Sequence, residues 1–143
     1  MIRMPAHPLT LVIDTSAVLA ISFAEPETPD FMRLLACSTH TLIAAGSAVE
    51  LYCLIHVRFG VARWKDLDRL LALYAVVNAG MDERQLELAK DGMLRFGQGR
   101  GSSPAVLNFG DLFAYALARS LPAPLLFKGD DFSRTDVIPA WRP

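Results

Sequence analysis

Acidic residues stand at the starts of several predicted helices and directly after apolar runs of this chain. The set comprises Asp14, Glu50, Asp111 and the pair Asp130–Asp131. An ionised carboxylate at the end of a buried strand is costly unless something compensates it, and ligands bind at that edge of open parallel sheets. Mg²⁺ and Mn²⁺ take hard oxygen ligands and keep several waters. The pattern therefore predicts a divalent-cation site with Asp14, Glu50 and Asp111 as ligands.

The chemistry that suits such a site is hydrolysis of a phosphodiester. A bound cation acidifies a water and stabilises the negative charge that develops on the phosphate. Asp14 and Asp111 are predicted as principal ligands, with Glu50 a further ligand or an orienter of the water. The hydroxyls of Thr15 and Ser16 can hold a ligand carboxylate or such a water, or can simply cap a helix. The sequence leaves open whether one ion or two is bound.

Helix capping is the alternative for every one of these carboxylates. Asp14 can accept a hydrogen bond from the backbone N–H of Ser16 or Ala17. Ser47–Glu50 has the spacing of a capping box, Asn108–Asp111 has a looser version of it, and Asp131 can cap a turn before Ser133. Apolar helical faces follow Asp14, Glu50 and Asp111, which directs these helices into the core and favours a shared, partly buried site.

Two basic residues are predicted to contact a phosphate backbone. Arg100 lies in the glycine-rich segment 97–101, and Lys128 precedes the acidic pair Asp130–Asp131. Phosphate contacts are the sequence-independent part of nucleic-acid binding. The formal net charge is -1, so such binding depends on a local patch and not on overall charge. A solvated loop charge is the alternative for Arg100.

Other classes of site are disfavoured by composition and spacing. The three histidines do not cluster as zinc ligands, and the glycines do not match a phosphate-binding loop. The two cysteines are predicted to be buried free thiols. No apolar stretch approaches the roughly 20 residues of a membrane span, and no signal peptide is recognisable, so a cytoplasmic protein is expected. A hydrophobic content of 52% predicts a surface covered by self-association or by a partner.

Strands alternating with helices predict an α/β protein with a mainly parallel central sheet in a three-layer α/β/α domain that spans residues 1–143. The predicted strands lie at 9–13, 41–43, from 74–77 onward and at 124–127, with a possible edge strand at 137–138. The predicted helices lie at 15–23, 29–36, 47–58, 63–73, 82–96 and 111–120. Right-handed crossovers would bring the carboxyl ends of the strands to one edge.

Six segments in this order make the whole chain resemble the PIN domain, and specifically the VapC ribonuclease toxins of type II toxin–antitoxin modules. They are Val12–Ala17, Ala48–Leu51, Arg58–Gly60, Arg95–Arg100, Pro104–Ala118 and Leu125–Phe132. The resemblance implies an α/β/α fold, Mg²⁺- or Mn²⁺-dependent endoribonuclease activity, a homodimer, and a VapB-like antitoxin that inserts a segment into the active-site groove.

The resemblance also assigns roles to individual residues. Asp14, Glu50 and Asp111 correspond to the first three acidic residues of the family. Many members have an Asp where Gly129 stands here. The fourth acidic role therefore passes to Asp130 or Asp131 or is lost, and Asp130 is favoured.

Two alternatives to a ribonuclease remain. One is a PIN-like module that has lost catalysis and only binds a protein, which the presence of the first three carboxylates disfavours. The other is a different Mg²⁺-dependent phosphohydrolase. A haloacid-dehalogenase-type phosphatase needs Asp-x-Asp, but Ser16 occupies the second acidic position.

Overall fold

A parallel sheet lies at the centre of the computed structural model, which describes residues 9–99 and 106–143. Its four strands are β1 (Thr10–Ile13), β2 (His40–Ala44), β3 (Val77–Ala79) and β4 (Leu125–Leu126). The spatial order is β3-β2-β1-β4, and every neighbouring pair is parallel. β1 is therefore an inner strand, and its carboxyl end lies between those of β2 and β4.

In the part of the chain that the structure describes, six helices connect and flank these strands. They are α1 (Thr15–Ser22), α2 (Thr28–Cys37), α3 (Ala45–Phe59), α4 (Trp64–Leu73), α5 (Glu83–Phe96) and α6 (Phe109–Ser120), with a 3₁₀ turn at Val61–Arg63 before α4. No helix in the described ranges is long and apolar enough to cross a bilayer.

Alternate side chains of β1 belong to different hydrophobic clusters. Leu11 and Ile13 pack with residues of α1 to α4, whereas Val12 packs with residues of α6 and the chain that follows it. Successive side chains of a strand point to opposite faces of its sheet, so each face is covered by its own layer. This confirms the predicted three-layer α/β/α arrangement with a parallel sheet.

α5 and α6 pack closely through a glycine. A side-chain carbon added at Gly92 would lie 2.5 Å from Cε1 of Tyr115, so only glycine leaves room for that buried ring. The Tyr115 hydroxyl donates a 2.7 Å hydrogen bond to Asp136, which also pairs with Arg95 at 3.0 Å and with Arg119 at 3.3 Å. This network ties both helices to the C-terminal segment and thereby fixes the position of α6.

The predicted edge strand at Val137–Ile138 is wrong. The segment does lie beside β4: Leu125 N–H donates to the Ile138 carbonyl at 2.8 Å, and Ala140 N–H donates to the Leu125 carbonyl at 2.9 Å. These two hydrogen bonds form an isolated parallel bridge between Leu125 and Pro139 and do not continue into a strand.

The prediction of two buried thiols is also wrong. Both cysteines are free, but Cys53 is exposed and Cys37 is only partly buried. Cys53 lies on the solvent-facing side of α3, whose exposed apolar residues include Val49 and Val57. The rarity of disulfides in cytosolic proteins favours free thiols, but it does not report whether those thiols are buried.

Candidate active site

Asp14 lies at the point where β1 ends and α1 begins, and it is buried. Its carboxylate accepts hydrogen bonds from the Ser16 backbone N–H at 3.0 Å and from the Ser16 hydroxyl at 2.6 Å. The predicted capping role is therefore confirmed. Burial raises the pKa of Asp14, with a smaller contribution from the charge of Glu50, although the hydrogen bonds from Ser16 oppose the shift.

Ser16 connects Asp14 to the far end of the chain. Its hydroxyl donates to Asp14 and accepts a 3.0 Å hydrogen bond from the backbone N–H of Lys128, just beyond β4. The Ser16 hydroxyl thus holds the Asp14 carboxylate. The Thr15 hydroxyl instead donates to the Ser47 carbonyl at 3.2 Å and joins α1 to α3.

Asp111 is the third residue of α6 and forms a reciprocal capping box with Asn108. The Asn108 side chain accepts from the Asp111 N–H, and the Asp111 carboxylate accepts from the Asn108 N–H, both at 3.0 Å. The pKa of Asp111 is raised to about 7, first by burial and then by the charges of Asp14, Asp131 and Glu50. Three carboxylates from separate elements therefore act on this one group.

Glu50 lies in the second turn of α3 and not at its start. The predicted Ser47–Glu50 capping box is wrong, since α3 begins at Ala45 and no side chain caps it. Ser47 is buried inside the first turn. The Glu50 carboxylate instead packs against Gly110, where an added side-chain carbon would lie 2.7 Å from Cδ of Glu50 and closer still to its Oε2. Glu50 thus reaches the start of α6, next to Asp111.

The pair Asp130–Asp131 lies in the loop after β4. The sequence predicted that the Asp131 side chain could cap a turn before Ser133. In the structure a main-chain hydrogen bond closes this turn, from the Ser133 N–H to the Asp130 carbonyl at 3.1 Å. Asp131 contributes to the raised pKa of Asp111. Asp130 instead lines a separate cavity of about 580 Å³. The two neighbouring carboxylates therefore face different surroundings.

Of the two predicted phosphate contacts, the structure describes Lys128 but not Arg100. Lys128 pairs with Glu25 and, at 3.3 Å, with Glu27. Its charge is thereby largely neutralised within the protein, and a phosphate would compete with two carboxylates for it. Arg100 lies outside the described residues.

The donor chemistry of this site fits a hard divalent cation. Carboxylate oxygens are its preferred ligands. Burial and, to a smaller extent, the neighbouring carboxylate charges raise the pKa of Asp111, and a bound cation would offset the repulsion among those charges. Within residues 9–99 and 106–143, no three acidic, histidine or cysteine side chains already lie close enough together to hold an ion. Waters and substrate oxygens would complete the coordination, as is usual for Mg²⁺.

Sequence reasoning missed Gly110, although the residue carries a signal. Glycine in the first turn of a helix is a poor helix former, and here it directly precedes a carboxylate predicted as a ligand. Its role in making room for Glu50 depends on how α3 packs against α6, and no local pattern reports that packing.

Comparison with known proteins places the fold and sequence in a family. The family model described as "PIN domain" matches residues 11–138. The chain is 36% identical over 130 residues to ribonuclease VapC42 of Mycobacterium tuberculosis, covering 91% of this chain and 98% of that protein. It is 38% identical over 127 residues to ribonuclease VapC of Mycolicibacterium smegmatis, covering 89% and 97%.

Solved structures share the fold at lower sequence identity. VapC20 of M. tuberculosis, a toxin that cleaves the sarcin–ricin loop, superposes with a TM-score of 0.71 at 18% identity, covering 93% of this chain and 99% of that one. VapBC2 of Rickettsia felis, bound to a promoter DNA fragment, gives a TM-score of 0.72 at 16% identity, covering 92% and 96%.

Proposed function

The chain belongs to the PIN-domain family, and we propose that it is a VapC-type toxin, an endoribonuclease that hydrolyses RNA phosphodiester bonds with Mg²⁺ or Mn²⁺. The observation that carries the proposal is the geometry around Asp111: it lies in the first turn of α6, and the Glu50 carboxylate packs against the preceding residue, Gly110. In agreement with this geometry, burial together with the charges of Asp14, Asp131 and Glu50 raises the pKa of Asp111 to about 7. The ribonuclease relatives that match nearly the whole chain support the substrate class.

Each polar residue of the acidic site has its own role in the proposed cleavage. Asp14 and Asp111 hold the cation, and Glu50, packed against Gly110, binds it or orients the attacking water. When bound, the cation acidifies that water and stabilises the charge on the phosphate. Ser16 fixes the Asp14 carboxylate in place through its 2.6 Å hydrogen bond. The N-termini of α1 and α6 favour the ionised carboxylates by about 0.3–1 kcal/mol each.

The fourth acidic position is better filled by Asp131 than by Asp130. Asp131 acts electrostatically on Asp111, whereas Asp130 faces the cavity of about 580 Å³. This reverses the preference drawn from the sequence. Asp131→Asn should therefore impair cleavage more than Asp130→Asn under identical conditions.

A cleavage assay tests the catalytic proposal. Protein freed of any bound antitoxin is incubated with structured RNAs, with Mg²⁺ or Mn²⁺ and separately with EDTA. Cleavage is expected with either metal ion and none with EDTA. The double variant Asp14→Ala plus Asp111→Ala should lose cleavage by at least about a hundredfold, because each carboxylate positions the ion.

The outcomes separate the alternatives. Equal cleavage by wild type and double variant would remove the carboxylates from the mechanism. If a broad panel of RNAs stays intact while the protein still binds a partner tightly, the reading as a catalytically inactive PIN-like binding module replaces the nuclease. Hydrolysis of small phosphate esters but not of RNA would indicate another Mg²⁺-dependent phosphohydrolase.

The proposal includes a VapB-like antitoxin and a homodimer in the cytoplasm, with residues 1–143 forming one PIN-like domain. A groove of about 320 Å³ between α1, α3 and α4 is lined by Phe23, Phe59, Leu67 and Leu70, among others, and supports an apolar antitoxin segment there. Val49, Val57 and Phe109 are exposed on α3 and α6 and support a dimer face. Phe59→Asp should weaken antitoxin capture without changing protomer association, and Val57→Asp should do the reverse.

A further inference from the structure

Phe109 exposes an aromatic ring at the edge of the acidic site. Of the aromatic side chains in residues 9–99 and 106–143, it is the most exposed, at 78%. It is the first residue of α6, two positions before Asp111. A phenylalanine ring left in water forgoes the stabilisation that burial would give, so a ligand that covers it gains that stabilisation. The proposed mechanism gives this ring no role.

Contacts with Phe113 and α3 fix the position of the Phe109 ring. Phe113, one turn further along α6, meets it edge to face, with ring centroids 5.1 Å apart and planes at 85°. The Phe113 ring in turn lies against Gly46 in the first turn of α3, where an added side-chain carbon would overlap it. The Phe109 ring is thereby supported by its neighbour and still open to solvent.

The acidic side chains lie directly beside this ring. Gly110, which separates Phe109 from Asp111, is the residue against which the Glu50 carboxylate packs. Successive α-carbons are about 3.8 Å apart, so those of Phe109 and Asp111 are separated by no more than about 8 Å. A nucleotide that adjoins a phosphate held at Asp111 therefore lies within reach of the ring.

Attraction between opposite charges is weak at this place, because the surroundings are acidic. Four carboxylates belong to the site, and the ammonium of Lys128 is already paired with two glutamates. A bound cation offsets part of the repulsion between these carboxylates and a phosphate. Stacking of a base on an aromatic ring needs no charge, and every base has a face that can stack. An unpaired base is therefore the part of an RNA that fits an exposed ring beside this site.

We propose that Phe109 is a stacking platform for RNA, on which the unpaired base of a nucleotide next to the cleaved bond lies against the open face of the ring. The inference rests on the proposed ribonuclease function and adds a residue that positions the substrate strand. Stacking tolerates any base sequence, so the platform selects unpaired nucleotides and not a particular base. Phe109 thus serves RNA, and the dimer face is left to Val49 and Val57.

Binding of two oligomers separates stacking from phosphate contacts. One is a hexamer of adenylate, and the other is the same ribose-phosphate hexamer without bases. Affinities are measured by calorimetry in EDTA on the double variant Asp14→Asn plus Asp111→Asn, which removes metal-dependent cleavage and two of the charges that repel RNA. The base-bearing hexamer should bind about tenfold more tightly than the abasic one, an effect of the size that one stacking aromatic supplies.

Substitutions of Phe109 in this background test the ring itself. Phe109→Leu keeps an exposed apolar side chain but has no aromatic face, so it should reduce the preference for the base-bearing hexamer below about threefold and leave the abasic affinity unchanged. Phe109→Trp keeps an aromatic face and should preserve the preference. Phe59→Leu makes the same change at an exposed phenylalanine at the far end of α3 and should have no effect.

The results that overturn the stacking platform differ from failure of the nuclease. A protein that does not prefer the base-bearing hexamer, or a preference that survives Phe109→Leu, removes the platform even if the wild type cleaves RNA with Mg²⁺. A preference that Phe109→Leu abolishes and Phe109→Trp keeps supports the platform even if cleavage fails. Weaker protomer association of Phe109→Leu in sedimentation, with an unchanged preference for the base-bearing hexamer, places the ring in the dimer face instead.

Discussion

The carboxylate of Glu50 packs against the α-carbon of Gly110, so that a single methyl group at position 110 would overlap it. This contact joins the second turn of α3 to the first turn of α6 and holds Glu50 one residue from Asp111. Glycine at this position therefore determines where an acidic side chain of the site can lie.

Gly110→Ala tests that relationship. The methyl group would meet the far end of a flexible side chain, so Glu50 can move at little cost, and alanine favours the helix by up to ~1 kcal/mol. Stability should hold or rise slightly while RNA cleavage falls at least about tenfold. Melting temperature and cleavage rate are measured together. Gly80→Ala, where an added carbon meets nothing within 4 Å, should leave cleavage unchanged, and unimpaired cleavage by Gly110→Ala would argue against a role for Glu50.

Asp111→Asn should stabilise the metal-free protein at alkaline pH. The pKa of Asp111 is raised from 3.8 to about 7, so between those values the folded protein binds more protons at this group than the unfolded chain. The free energy of unfolding therefore falls as the pH rises through that window. Asparagine removes this loss and still has an oxygen that can accept the Asn108 N–H.

Urea denaturation at two pH values measures this effect. The variant should exceed wild type by on the order of 1 kcal/mol at pH 8, after allowance for solvent screening, and the difference should shrink at pH 4.5. Mg²⁺ should raise the stability of wild type more than that of the variant. A large loss of stability at both pH values would mean that Asp111 serves mainly as a cap.

Ser16→Ala should move the acidic limb of the pH–activity profile to higher pH. The Ser16 hydroxyl bond lowers the pKa of Asp14 against the effect of burial, so removing the hydroxyl raises that pKa further. Ser16→Thr keeps the hydroxyl and should restore the wild-type limb. Cleavage rates from pH 5 to 9 measure the shift. A lower rate with an unchanged profile would show that Ser16 acts only by joining α1 to the loop at Lys128.

Gly92→Ala should destabilise the protein by about 1–3 kcal/mol, the usual cost of overpacking. The added carbon would lie 2.5 Å from the ring of Tyr115, whose hydroxyl is fixed by Asp136. The ring cannot move without breaking that bond or separating α5 from α6. Denaturation with urea measures the loss, and stability equal to wild type would show that the two helices adjust freely.

Local patterns located two of the site carboxylates. Asp14 follows a short apolar strand, and Asp111 follows Asn108 at capping-box spacing, and both assignments depend on neighbours within three residues. Ser47–Glu50 has that same spacing, yet α3 begins at Ala45, directly after β2. Because β2 runs directly into α3, the helix starts at a residue that has no capping side chain before it. The capping-box spacing of Ser47 and Glu50 therefore predicted the wrong start for α3.

Contacts between distant residues explain the other misses. Thr15 donates to the Ser47 carbonyl, 32 residues away, and Lys128 pairs with Glu25 across 103 residues. Each of these partners is one of many of its type in the sequence. The packing of α1, α2 and the β4 loop determines which of these residues come into contact. Composition and residue spacing do not predict such contacts.

The order of the sheet has a consequence for synthesis of the protein in the cell. β1 is made first, yet the Asp14 N–H donates to Leu126, near the other end of the chain. Parallel pairing between residues far apart in the chain forms late, because the chain loses the entropy of closing a long loop before the stabilising contacts between the strands form. A growing chain emerging from the ribosome therefore carries its first acidic residue without the strand that secures it. The acidic site is therefore expected to assemble only after β4 has left the ribosome.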